Sequence, residues 1–496
     1  MAGRAKIKLL REDILMSKEK VQIGSEGIRD ARKLGIPRML ILGFQHMFAM
    51  FGATVLVPLL TGLDVATTLL FAGLGTLFFH LVTGFKVPAF LGSSFAFLGG
   101  YGAIAPLAGN GELTQEQLLP YACLGVACAG LVYLVLALLI KLVGVNRVMK
   151  FFPPVVTGPI IIAIGLGLAG SAVNNCQTNW LIALIALAIV IIFNVWGKGM
   201  AKIVPILLGV LGSCAIAAVL AIIWGKEVNG FITLGGNEGL QLFSVSALEN
   251  LKNAAWIGFP VKWSHTVFGG VDFSNVSLVV SAIVAIMPIS LATMMEHIGD
   301  ISAISSTVGE NFIAKPGLHR TLTGDGIATT LASLFGAPAN TTYGENTGVL
   351  ALSKVYDPRV IRIAAVIAVI FSFSPKFAAL VNLIPTAIIG GISFILYGMI
   401  SAIGVRNVVE NKVDFTKSRN LIVAAIILVC ALGLGSVSFA IGGITITLSA
   451  LAVASIAGIV LNAILPGKDY EFGADPQGDK AANMAVGANT ENYGEK

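Results

Sequence analysis

Of the 26 acidic residues in this 496-residue chain, four stand apart: Glu296, Asp300, Asp325 and Glu345 fall within or at the edge of hydrophobic stretches. An ionised carboxylate at the centre of a membrane helix costs at least about 3 kcal/mol, so each must face a bundle interior and is a functional candidate. Glu296 and Asp300 are four residues apart and share one helix face. Carboxyls crowded into one dry pocket can hold a proton near neutral pH, as a proton-coupled carrier requires. The competing structural reading is an acid paired with a base, yet no Lys or Arg lies in the middle of any apolar stretch. For Asp325 that competing reading is stronger: it follows Arg320 closely and could cap a helix or sit at the cytoplasmic interface. His46 and His297 read equally as functional groups or as ring nitrogens bonded to backbone carbonyls, and His80 and His319 read as the latter or as interfacial.

The elements that must position these groups are membrane helices. The chain is 56% hydrophobic and 12% charged, with a mean hydropathy of +0.88. Soluble domains carry about twice that charge. This composition excludes a soluble globular protein and a disordered chain. Five sparse cysteines exclude a disulfide scaffold, and a balance of +6 that reflects few acids excludes a nucleic-acid binder. Neither metal-ligand spacing of the H-E-x-x-H kind nor a G-x-S-x-G turn supports an enzyme, and no cofactor or metal is expected.

Uncharged runs such as Arg38 to Asp64, Asp64 to Lys86 and Lys376 to Arg406 are long enough to cross a bilayer as helices. The runs from Lys150 to Lys198 and Arg419 to Lys468 are about twice as long and read as two spans each. The reading is fourteen crossings between residues 38 and 466, seven on either side of a solvated extracytoplasmic loop, 225–277. Residues 1–37 and 467–496 then form a cytoplasmic N-terminal segment and tail. With that orientation 28 of the 32 Lys and Arg residues lie inside, as the positive-inside rule requires. The expected location is the inner, cytoplasmic membrane.

The halves 38–224 and 278–466 resemble each other. Gln45-His46 recurs as Glu296-His297, 251 positions later, and Pro88-Ala89 recurs as Pro338-Ala339, 250 positions later. Because seven is odd, the second copy is inverted. Paired broken segments in inverted repeats are where secondary transporters place substrate. The third and tenth segments, Gly92-Ser93-Ser94-Phe95 and Asn340-Thr341-Thr342-Tyr343-Gly344, each follow a proline and favour extended backbone. Each is expected to begin as a short strand and become a half helix, near Ala96 and near Glu345. The strands would pair antiparallel, since unwound backbone survives in a membrane only when buried in protein or lining a wet cavity. The fold class is thus all-α and polytopic, with short strands only at these two breaks.

These residues resemble the nucleobase-ascorbate transporter family, also called nucleobase cation symporters of the second type, and within it the bacterial uracil permeases. The resemblance covers nearly all of residues 38–466. It rests on Gln45-His46, Gly92-Ser93-Ser94-Phe95-Ala96-Phe97, Glu296-His297-Ile298-Gly299, Pro316-Gly317-Leu318-His319-Arg320 and Glu345-Asn346-Thr347-Gly348, the last followed by Ser353 and Lys354 where the family signature has threonine and a basic residue.

The resemblance implies a core domain of spans 1–4 and 8–11, a gate domain of spans 5–7 and 12–14, and a homodimer. It also implies substrate held by the side chains of Glu296 and Glu345 and by the backbone of Phe95 and Gly344, with uptake coupled to protons. Aspartate at 300 departs from the histidine common in uracil permeases and is frequent in purine members, whereas glutamate at 345 fits the pyrimidine branch. The expectation is proton-coupled uptake of a nucleobase, uracil first and a purine such as xanthine or urate second. An inorganic-anion exchanger of the same architecture is the remaining alternative. A uracil-like lactam edge presents an acceptor beside a donor, which a protonated carboxyl complements. Glu296 is therefore expected to bind that edge, Glu345 to accept from another ring N–H, and Asp300, His46 and Asp325 to serve proton coupling.

Overall fold

Prolines, glycines and capping residues cut the apolar chain into helices. In the computed structural model, which describes residues 27–104, 114–198, 200–441 and 444–467, α1 (Ile36–Thr61) starts with a proline in its first turn and stops at Gly62 in the left-handed conformation. The Asp64 carboxylate caps α2 (Val65–Val82) by accepting from Thr67 N at 2.8 Å. Strand β1 (Leu91–Ser93) and the short helix α3 (Leu98–Ala103) follow, then α4 (Gln115–Val143), entered through a Thr114/Gln117 capping box. The first half ends with α5 (Pro154–Gly167), α6 (Ala169–Cys176), α7 (Trp180–Val195) and α8 (Pro205–Trp224).

A three-stranded sheet of β2 (Gly225–Val228), β3 (Phe231–Leu234) and β4 (Gln241–Ser244), followed by α9 (Val245–Asn253), divides the halves. The stretch read from sequence as a solvated loop is thus partly an antiparallel sheet with Leu242 and Phe243 buried. The cause is Asn229-Gly230: both adopt positive φ, and this two-residue turn joins strands paired Val228 to Phe231.

The second half runs α10 (Val276–Ile286), α11 (Ser290–Val308), α12 (Leu318–Leu334), β5 (Asn340–Thr342) and α13 (Gly344–Ser353). It continues with α14 (Pro358–Ser372), α15 (Pro375–Asn382), α16 (Thr386–Glu410), α17 (Ser418–Gly433), a hairpin of β6 (Ser436–Ile441) and β7 (Ile444–Ser449), and α18 (Ala450–Ile464). Among the described residues seven helices, counting α5 with α6 and α10 with α11 as one each, are long and apolar enough to cross a membrane, and α14 with α15 adds a pair bent by 90°. Helices α7, α17 and α18 are apolar but shorter. The protein is a polytopic helical membrane protein.

β1 and β5 pair antiparallel, Leu91 with Thr342, Gly92 with Thr341 and Ser93 with Asn340. Both strands are fully buried, as unwound backbone in a membrane must be. Tyr343 donates its hydroxyl to Ser93 O at 2.9 Å, so residues 250 apart, equivalent in the two halves, touch. The pseudo-two-fold axis of a repeat passes where its equivalent residues meet. Around this crossing α12 packs on α4 and α2, and α14 packs on α2 and α1. A second group forms where α16 packs on α5, α6 and α7, and α17 packs on α5 and α18.

Candidate functional site

The i, i+4 spacing of Glu296 and Asp300 turns both toward one cavity of about 340 Å³. Ser94 and Phe95, just after β1, and Thr341, Tyr343 and Gly344, around the end of β5, line it as well. Helices α5 and α16 of the second packed group supply Ile161, Ile400, Ile403, Arg406, Asn407 and Glu410. The cavity therefore lies between the two groups, with the paired strands at one end and the Arg406–Glu410 ion pair (2.6 Å) at the other. Four of the residues singled out from sequence, Glu296, Asp300, Phe95 and Gly344, meet here. Glu345, also singled out, is the second residue of α13; its side chain lies outside the described residues.

A Cβ at 344 would come within 2.8 Å of Asp300 Oδ1, so a side chain there would displace the Asp300 carboxylate. Phe95 meets the Tyr397 ring of α16 edge-on, with centroids 6.2 Å apart, so an aromatic contact between the two packed groups adjoins the carboxylates.

Asp325 and His46 lie behind the cavity wall. Asp325 is fully buried in the middle of α12, bonded neither to a helix end nor to a base at the interface; it contacts Nδ1 of His297, also buried. The cap and interface readings are thereby excluded. His297 is one residue along from Glu296, about 100° round the helix, so it faces away from the cavity. Between the two layers stands Thr342: its hydroxyl donates to Asp300 Oδ2 at 3.1 Å, and its oxygen lies 3.2 Å from His297 Nδ1. With the hydroxyl proton spent on Asp300, the oxygen lone pairs face the imidazole. Asp300, Thr342, His297 and Asp325 form a continuous polar chain from cavity to core.

His46 is fully buried and bonds Asn346 Oδ1 at 3.2 Å, while Asn346 Nδ2 donates to Pro88 O at 2.8 Å. Through Asn346 it ties the start of α13 to the approach of β1. His80 behaves as read, with Nε2 2.9 Å from Ala89 O.

Sequence reasoning missed Thr342 as a link and the whole contribution of α16. Thr342 carried one usable signal, since in a strand it and Asn340 share a face. Asn407 and Glu410, at the end of an apolar helix, carried none.

Residues 37–440 match a family model described as a permease family. The chain is 38% identical over 466 residues to the uracil permease of Bacillus subtilis, covering 91% of this chain and 97% of that one. It is 39% identical over 450 residues to the uracil permease of Bacillus caldolyticus (89% and 94% covered). It is 37% identical over 440 residues to a putative pyrimidine permease of Escherichia coli (88% and 91%). Among solved structures it resembles the transmembrane domain of a cyanobacterium bicarbonate transporter, BicA, with TM-score 0.53, 16% identity and coverage of 88% and 100%. It also resembles SLC26A9, with TM-score 0.59, 12% identity and coverage of 94% and 69%. At these identities the structural likeness concerns fold alone.

Proposed function

The chain belongs to the permease family of nucleobase-ascorbate transporters, and from that premise we propose that it couples uptake of a nucleobase, uracil first, to protons. The observation that carries this reading is the meeting of Glu296 and Asp300 with Phe95 and Gly344 in the lining of one cavity. A protonated Glu296 donates to a lactam carbonyl and accepts from the adjacent N–H; ionised, it only accepts. Proton and base therefore strengthen each other's binding, and by linkage loss of either one promotes release of the other. Asp300 sits four residues along, joined through Thr342 and His297 to Asp325, a route by which a proton reaches or leaves the cavity wall. His46 acts through Asn346, on which α13 rests. The resemblance assigns Glu345 a second ring N–H.

In this reading fourteen crossings form a 7+7 inverted repeat. The group around α1–α4 and α11–α14 is the core domain, and that around α5–α7 and α16–α18 is part of the gate, moving by alternating access. Both termini are cytoplasmic, the membrane is the inner one, and the protein is a homodimer.

Uptake of labelled uracil into vesicles under an imposed pH gradient, with unlabelled uracil, xanthine and sulfate competing, tests the proposal. Uracil should compete best. Xanthine as the best competitor would move the chain to the purine branch, and sulfate would replace the reading with anion exchange, which Glu296 and Asp300 oppose by charge. Glu296→Gln keeps the shape and loses the ionisable proton, so proton-driven accumulation should disappear and KM should rise about tenfold, the effect of about 1.4 kcal/mol. Normal KM with intact gradient-driven accumulation would refute the role of Glu296.

A further inference from the structure

The cytoplasmic-side ends of the two site-bearing helices α11 and α13 are held by one short piece of chain, residues 27–35, just before α1. Ile28 forms a parallel bridge with Val355: its N–H donates to Lys354 O at 2.7 Å, and its carbonyl accepts from Tyr356 N at 2.8 Å. Lys354 is the left-handed cap of α13. One residue on, Arg29 reaches the other helix. Its Nη2 donates to Val308 O, the last residue of α11, at 3.0 Å, and its guanidinium pairs with Glu310 just beyond. A cation on the last carbonyls of a helix is favourable against the helix dipole.

This attachment is built rather than incidental. Ala31 N donates to the buried Asp357 carboxylate at 2.7 Å, and Arg359 joins Asp30 and Asp357 at 3.0 Å each. Ile28, Ala31 and Leu34 bury against Val355 and Val360. Gly27 has φ +73°, and a Cβ there would come within 2.5 Å of the Tyr356 ring and 2.8 Å of Lys354 O, so only glycine fits at its start. Exposed ion pairs alone hold little; here they are added to a buried carboxylate and an apolar cluster.

We propose that residues 27–35 are a strap, with Arg29 as a positioning residue, that fixes α11 against α13 and so sets the spacing of Asp300 and Gly344 in the cavity. Those two residues lie close enough that a Cβ at 344 would come within 2.8 Å of Asp300 Oδ1 and displace that carboxylate. A strap joining the far ends of both helices limits how far they separate. It acts on binding geometry and touches no substrate.

The test uses full-length protein and two readouts, one of them independent of substrate identity. Amide hydrogen exchange is followed over residues 300–309 and 344–353, and uracil uptake is measured for KM and Vmax. Arg29→Ala and, independently, Gly27→Val should each speed exchange in both segments about fivefold or more, as local opening becomes easier. KM should rise about threefold to tenfold with Vmax within about twofold, a loss of binding geometry rather than of turnover. Arg29→Lys, which keeps the cation, should restore both. Unchanged exchange in the two variants overturns the strap. Faster exchange with unchanged KM overturns its positioning role and leaves a structural staple. If wild-type protein takes up no nucleobase, the functional reading fails, while exchange across Asp300 and Gly344 still decides the strap.

Discussion

Thr342 is the residue on which the coupling argument turns, because it is the only described hydroxyl that bonds both Asp300 in the cavity wall and His297 in the core. A hydrogen bond to a charged group contributes about 1.5–3 kcal/mol, a tenfold or larger change in a coupled equilibrium. Thr342→Val keeps the strand and removes the link. Accumulation driven by a pH gradient should fall about tenfold or more, while exchange of labelled for unlabelled base across the membrane persists, since exchange needs no net proton movement. Equal loss of both activities would show that Thr342 serves binding rather than coupling. The acids of the site were legible in the sequence because a carboxylate inside an apolar run has no bland explanation without a nearby base. Thr342 was not, because a threonine in a strand is ordinary. A cap remained open as a reading of Asp325 for a related reason: its partner His297 is close in space and 28 positions away in sequence.

Among the elements, the two breaks were legible from proline followed by extended-favouring residues, and the antiparallel pair β1 and β5 forms where they cross. The three-stranded sheet was as readable, since Asn229-Gly230 between β-branched and aromatic residues is a strong short hairpin signal; charge in that stretch hid it. The strap at residues 27–35 was hidden by its polar composition, which reads as solvated although Ala31 and Asp357 are buried. Its charges also separate its behaviour from that of the cavity. The Arg32 guanidinium beside Asp30 holds that carboxyl down at about 2. A carboxyl lowered in the folded state stabilises above its ordinary value, and that contribution is lost only as pH falls through about 2. Asp30 therefore keeps its contacts with Arg32 and Arg359 throughout the range from about pH 5 to 8 in which the proposed proton coupling would act. Exchange protection of Ile28 and Ala31, corrected for intrinsic rates, should be flat over that range while uptake changes. Protection that fell in step with uptake would place a titrating switch in the strap instead of the cavity.

For the whole molecule, the decisive question is which side of the membrane the cavity faces. Its wall runs from the crossing of β1 and β5, past Thr347, Gly348 and Ala351 on α13, to Arg406 and Glu410 at the end of α16. In the orientation expected from the positive-inside pattern, Arg406 lies on the cytoplasmic side. A separate cavity on the far side of Phe95, lined by Ala96, Gly99, Ala163 and Ile164, shows how thin the intervening barrier is: Phe95 and Ile161 line the first cavity, and residues one and two positions later line the second. A carrier needs such a barrier between two approaches, each opened in turn. Ala351 is exposed on the first approach. In Ala351→Cys a membrane-impermeant maleimide should label residue 351 in inside-out vesicles and not in right-side-out ones, against a wild-type control for the five native cysteines. If the base occupies the same cavity as proposed, saturating uracil should slow that labelling. Labelling from the outside alone would invert the topology, and with it the direction of the proposed proton transfer from Glu296.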